Sequence, residues 1–121
     1  MDRKEQFRQR TKAYASAIIK LFCSLPRKRT EVEVLGKQLL RSGTAVAAIY
    51  REASRARSDA EFVSKIETCA QEADESGLWI ELLQEDCGIS SDLLTWLRQE
   101  NNELLSIFVT MAKNVKDRSR S

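Results

Sequence analysis

The sequence predicts an all-α fold, an up-down-up-down antiparallel four-helix bundle. Three observations carry that expectation. Apolar residues recur at alternating steps of three and four through four stretches, the spacing of helices with one buried face. The breaks between the stretches are short, which makes consecutive helices antiparallel neighbours. Gly (4) and Pro (1) are scarce among 121 residues, too few for a turn-rich β fold. A chain of this length forms one domain around one core.

The first helix is expected over about residues 4–24. Its seam is Phe7, Thr11, Tyr14, Ile18, Leu21 and Leu25, spaced 4, 3, 4, 3, 4. Pro26 closes it, because the residue before a proline is pushed out of the helical region. The second helix covers 30–54. Thr30 is a candidate cap, and Glu31 and Glu33 occupy the first turn, where the positive end of the helix dipole favours acids. Its seam is Leu35, Leu39, Ser42, Val46, Ile49 and Ala53. Gly43 lies at its middle, where glycine costs about 1 kcal/mol relative to alanine. Close approach by another helix is the commonest compensation, and a local bend the next.

The third helix, 58–86, opens on a capping box made by Ser58 and Glu61 and ends before Gly88. Its seam is Phe62, Ile66, Cys69, Ala73, Ser76, Ile80 and Leu83. The fourth, 91–115, is capped by Ser90 or Ser91. Its seam is Leu94, Leu97, Asn101, Leu104, Phe108, Met111 and Val115. Asn101 stands where an apolar residue belongs. Either it fixes register from inside the core, or it lies at the bundle edge and meets water. Residues 116–121 contain no apolar side chain and are expected to fray.

The formal net charge of +2 conceals an asymmetry. Residues 1–29 hold nine Lys/Arg against two Asp/Glu, a net of +7, whereas residues 58–92 hold one against ten, a net of −9. Two readings are open: the opposite charges meet, within the chain or between subunits, or the basic part meets an external anion such as nucleic acid. With no histidine, the usual neutral-pH base is missing and mixed Cys/His zinc sites are excluded. No catalytic constellation is evident, so no enzymatic activity, cofactor or metal is expected. Cys23, Cys69 and Cys87 match no metal or redox spacing and read as reduced thiols. No stretch suits a membrane span or a signal peptide, and a cytoplasmic location is expected.

The candidate phosphate contacts are Arg27, Lys28 and Arg29, the densest basic run, with Arg3, Arg8, Arg10 and Lys12. A second group contains Arg41, Arg51 and Arg55, with Glu72, Glu75 and Trp79 on the following helix. These side chains suit ion pairs and contacts that hold the hairpin or a subunit interface together; phosphate binding by the arginines is equally open. Trp79 and Trp96 fall just off their seams, where partial exposure is expected.

A resemblance rests on the central hairpin: Lys37-Gln38-Leu39-Leu40-Arg41-Ser42-Gly43-Thr44, Ala47-Ala48, Tyr50-Arg51-Glu52-Ala53, Arg55-Ala56-Arg57-Ser58, Glu61-Phe62, Lys65, Glu72-Ala73-Asp74-Glu75, Trp79 and Leu82-Leu83. These residues resemble the bacterial 23S rRNA intervening-sequence proteins. The departures are Ala45, Ile49, Gln71, Ser76 and Leu78, where that family usually has Ser, Asn, Lys, Thr and Tyr. The resemblance implies a homopentameric four-helix bundle with an RNA link and no established enzymatic activity. A similar group, the accessory variability proteins of diversity-generating retroelements, implies nucleic-acid binding in partnership with a reverse transcriptase.

Overall fold

The computed structural model describes residues 2–120. Helix α1 spans Arg3–Ser24, α2 Thr30–Ala53, α3 Asp59–Glu85 and α4 Asp92–Arg120. Each helix packs on the next, and α4 returns to α1 along the thinnest of the four contacts. Helices α1 and α3 therefore stand diagonally across the core.

The helix ends show where local sequence decides and where it does not. Asp2 caps α1 by accepting from the Glu5 N–H at 2.8 Å. Thr30 does not cap α2. It is already helical, and the extended cap position falls to Arg29, whose side chain instead binds Glu31 and the Cys87 carbonyl. Ser58 accepts from the Glu61 N–H at 3.1 Å, but Glu61 returns its bond to the Arg57 N–H rather than to Ser58. Ser91 caps α4, accepting from Leu94 N–H. At the end of α3, Gly88 takes φ 69°, which lets the Ile89 N–H reach back to the Leu83 carbonyl.

The expected fraying after residue 115 is corrected: α4 stays helical through Arg120, and Ser121 lies outside the described residues. Contacts with α3 hold the extra turns. Lys116 Nζ donates to Glu67 at 2.6 Å, and the Ser119 hydroxyl reaches the Asp59 carboxylate at 3.5 Å.

The seams form the core as their spacing predicts, with Leu35, Ile49 and Phe62 only partly buried. Val32 and Tyr50 join them from beside the α2 seam. The Tyr50 ring lies between Phe7 and Phe108, with centroids 6.2 and 6.1 Å away.

Asn101 is inside, 1% exposed. It accepts from the Tyr14 hydroxyl at 2.6 Å and donates to the Ala73 carbonyl at 2.9 Å. Beside it the Ser42 and Ser76 hydroxyls share a hydrogen bond of 2.6 Å. All four helices thus contribute to one polar layer, and a slip of any helix by one residue would strand its partners.

Close approach explains Gly43. A β-carbon there would lie 2.9 Å from Ile18 Cγ1 and Cδ1. Ile18 is buried and has little room to yield. Gly43→Ala is expected to lower the thermal midpoint followed by circular dichroism. Overpacking costs about 1–3 kcal/mol and outweighs a propensity gain of about 1 kcal/mol. Ile18→Val in the same chain is expected to recover part of that loss.

Burial also sets a pH dependence. It pushes the Tyr14 and Tyr50 phenols above the ordinary 10.0 and the Cys69 thiol up from 9.0 to about 12. The unfolded chain releases these protons at the ordinary values while the folded chain keeps them. Above those values the unfolded state binds fewer protons, so stability falls as pH rises. Urea midpoints are expected to decline progressively above pH 9.0.

Candidate nucleic-acid interface

The ion pairs of acidic α3 run to its neighbours. Arg41 of α2 bridges Glu72 and Glu75, Lys65 pairs with Glu52 of α2, Arg98 of α4 meets Glu81 and Glu85, and Lys116 meets Glu67. Among the described residues no ion pair joins α3 to α1. The diagonal placement keeps the two oppositely charged segments apart, so the basic segment is not neutralised by α3.

The seven candidate phosphate contacts do not form one patch. Arg27, Lys28 and Arg29 lie in the connection at one end of the bundle, and Arg3 lies at the other, about 30 Å away along α1. Arg8, Arg10 and Lys12 fall between them. Their partners differ as much as their positions. Arg10 makes a forked contact with Glu100 of α4, at 2.9 and 2.7 Å, and reaches Glu103 at 3.5 Å. The Glu100 carboxylate holds the Arg10 guanidinium above its ordinary pKa, against a smaller opposing effect of burial. Arg8 binds Glu5 and donates to the Ser54 hydroxyl at 3.1 Å, and this pairing lowers the Glu5 pKa. Arg29 is held by Glu31 and Cys87. Arg3 lies 5.9 Å over the Phe7 ring and has no carboxylate partner among the described residues. Lys12, Arg27 and Lys28 are exposed and make no ion pair among the described residues.

Of the second group, Arg41, Glu72 and Glu75 do join across the α2–α3 hairpin. Glu75 is the main cause of the raised Arg41 pKa. One Glu72 oxygen is buried 3.4 Å from Arg41 without hydrogen-bond alignment. Arg51 and Arg55 have no ion pair among the described residues. With Lys12 they border a shallow groove between α1 and α2 lined mostly by small side chains, Ala15, Ser16, Thr44, Ala47 and Ala48, with the exposed Ile19 and with Glu52 beside the arginines. Trp79 is half-buried, and its indole N–H is buried without an acceptor among the described residues. Trp96 is 46% exposed on α4. No described helix is long and apolar enough to cross a membrane.

The architecture defines a small antiparallel four-helix bundle with one polar layer and a basic edge helix. The chain belongs to the 23S rRNA-intervening sequence protein family, whose model matches residues 3–110. A crystal structure from Bacteroides thetaiotaomicron, described as a protein of unknown function from the S23 ribosomal protein family, is similar to it. The two chains share 30% identity with a TM-score of 0.78, covering 88% of this chain and 97% of the other. No curated protein matches.

Proposed function

We propose that the protein is a non-enzymatic, self-associating bundle that acts as an accessory factor on nucleic acid in the cytoplasm. The basic N-terminal segment carries this reading. It lies diagonal to the acidic helix, and Arg3, Lys12, Arg27 and Lys28 have no carboxylate partner among the described residues. Cations held this way are available to displace counterions from a phosphate backbone. Arg8, Arg10 and Arg29 contribute to the local potential while serving internal contacts. The finer version is a homopentamer that serves a reverse transcriptase, like the accessory variability proteins.

The test is retention of a structured RNA or DNA across a salt series. Binding is expected to weaken steeply with salt, and Arg27→Glu with Lys28→Glu is expected to weaken it about tenfold or more at low salt. A folded protein that retains neither nucleic acid at low salt overturns the reading.

A specific observation favours a second reading, assembly without nucleic acid. Arg51 and Arg55 make no ion pair among the described residues and border the groove between α1 and α2. These are features that an acidic face of a second copy would complete. Light scattering of a chain carrying Arg51→Glu and Arg55→Glu separates the readings. Loss of the oligomer with nucleic-acid retention unchanged favours association through this groove alone.

A further inference from the structure

At the end of the bundle opposite Arg27, all four helices border a cleft of about 480 Å³. The up-down topology brings together the start of α1, the α2–α3 connection and the last turns of α4. The cleft's chemistry is divided. Its apolar surface comes mainly from the partly exposed Phe62, with the edges of Met111 and Val115 and with the buried Tyr50 behind them. Among the described residues its rim carries Arg3, Lys4, Arg57 and Arg118 with the Asp59 carboxylate. Among the described residues Arg3, Lys4 and the Arg57 guanidinium have no carboxylate partner. The Asp59 carboxylate is 3.5 Å from the Ser119 hydroxyl. Ser58 and Asp59 also line the cleft, so the positive end of the α3 dipole adds to the rim. The exposed Asn114 amide, also in the lining, offers a donor and an acceptor side by side.

We propose that this cleft binds a nucleotide unit, with the phosphate on Arg3, Lys4 and Arg57 and the base on the Phe62 side beside Asn114. Its volume suits one small ligand. A bare inorganic anion would use the rim and leave the apolar floor exposed to water. An uncharged aromatic ligand would leave the cations unanswered. A nucleotide satisfies both, and an adjacent amide can read the base edge. The choice of a nucleotide over other amphipathic anions rests on the nucleic-acid reading above as well as on Asn114. The unit has two sources, a free mononucleotide or the phosphorylated end of a single strand.

The experiment follows backbone amide shifts of the full chain during titration with a nucleoside monophosphate, the matching nucleoside and inorganic phosphate. The monophosphate is expected to shift the amides of residues 56–62 and 111–115 and to bind about tenfold more tightly than either fragment. Lys4→Ala with Arg57→Ala, both exposed, is expected to weaken binding about tenfold while the thermal midpoint holds. Phe62→Leu is expected to weaken the monophosphate but not phosphate. A short single-stranded RNA with a 5′-phosphate that outbinds its 5′-hydroxyl form and the monophosphate assigns the site to strand ends; equal binding of the phosphorylated strand and the monophosphate assigns it to free nucleotide. Silence of these amides at millimolar monophosphate overturns the proposal, as does phosphate alone binding as tightly as the nucleotide. The broader reading fails separately. If the cleft is silent but structured RNA still depends on Arg27 and Lys28, only the cleft proposal falls. If the cleft responds while no RNA or DNA is retained, the cleft stands as a mononucleotide site and the broader reading falls.

Discussion

Asn101→Ala is expected to destabilise the bundle by about 3 kcal/mol, from a cavity and a buried hydroxyl left without its acceptor. The Tyr14 phenol lies in the core and is completely enclosed. Its hydrogen goes to Asn101, although the Ser76 hydroxyl lies close enough to influence it. Ser76 already shares its bond with Ser42, so it replaces Asn101 poorly. Tyr14→Phe removes the orphaned group along with its partner. The double variant is therefore expected to lose less than the sum of the two single ones, as measured by chemical denaturation. Asn101→Leu with Tyr14→Phe is expected to recover stability further, and the question then becomes whether one helix register survives. Broadened amide spectra in a stable double variant would assign register to the polar layer. Sharp spectra would remove that role.

Arg10→Ala is expected to be the next most damaging, at about 2 kcal/mol, because it leaves the Glu100 carboxylate without its charge partner. Glu100 is only 9% exposed. Removing one member of an enclosed pair costs more than the pair contributes. Glu100→Ala alone leaves Arg10 nearer to solvent and still within reach of Glu103, so its loss is expected to be smaller. A double-mutant cycle on the two residues should give a coupling that persists in high salt. The same cycle on Arg41 and Glu75, both more exposed, should give a coupling that salt removes. If both couplings vanish equally, Arg10 is a surface residue in energetic terms and returns to the pool of phosphate contacts.

The helices were legible because their information is local and periodic. Every residue of the α1 and α4 seams is buried, and the element ends fall within one or two residues of expectation through Ser24, Ala53 and Glu85. The last turns of α4 were not legible. Nothing apolar follows Val115, and their stability depends on Glu67, 49 residues away from Lys116 in the chain. Tyr50 was missed because it sits one step beside the α2 seam, and only the junction of three helices encloses it. The basic residues show the same limit at the site. Arg8, Arg10 and Lys12 look equivalent in sequence, yet Arg10 is clamped to a carboxylate 90 residues distant and Lys12 makes no ion pair among the described residues. Lys4 and Asn114 fall in no motif, and Arg57 enters only as part of the family resemblance. They come together only because the up-down topology returns alternate chain ends to the same pole.

The diagonal arrangement of α1 and α3 has a kinetic consequence. The molecule has an electropositive flank and an electronegative flank, separated by more than a Debye length at physiological salt, about 8 Å. A polyanion approaching from the wrong side is repelled before contact, and the molecule experiences a torque that turns α1 forward. If the nucleic-acid reading holds, productive encounters should be enriched without any increase in contact energy. Salt that shortens the screening length should slow association well before it weakens the contacts already made. Under the assembly reading, two copies meeting at random should favour the flank-to-opposite-flank orientation, a heterologous contact rather than a two-fold one.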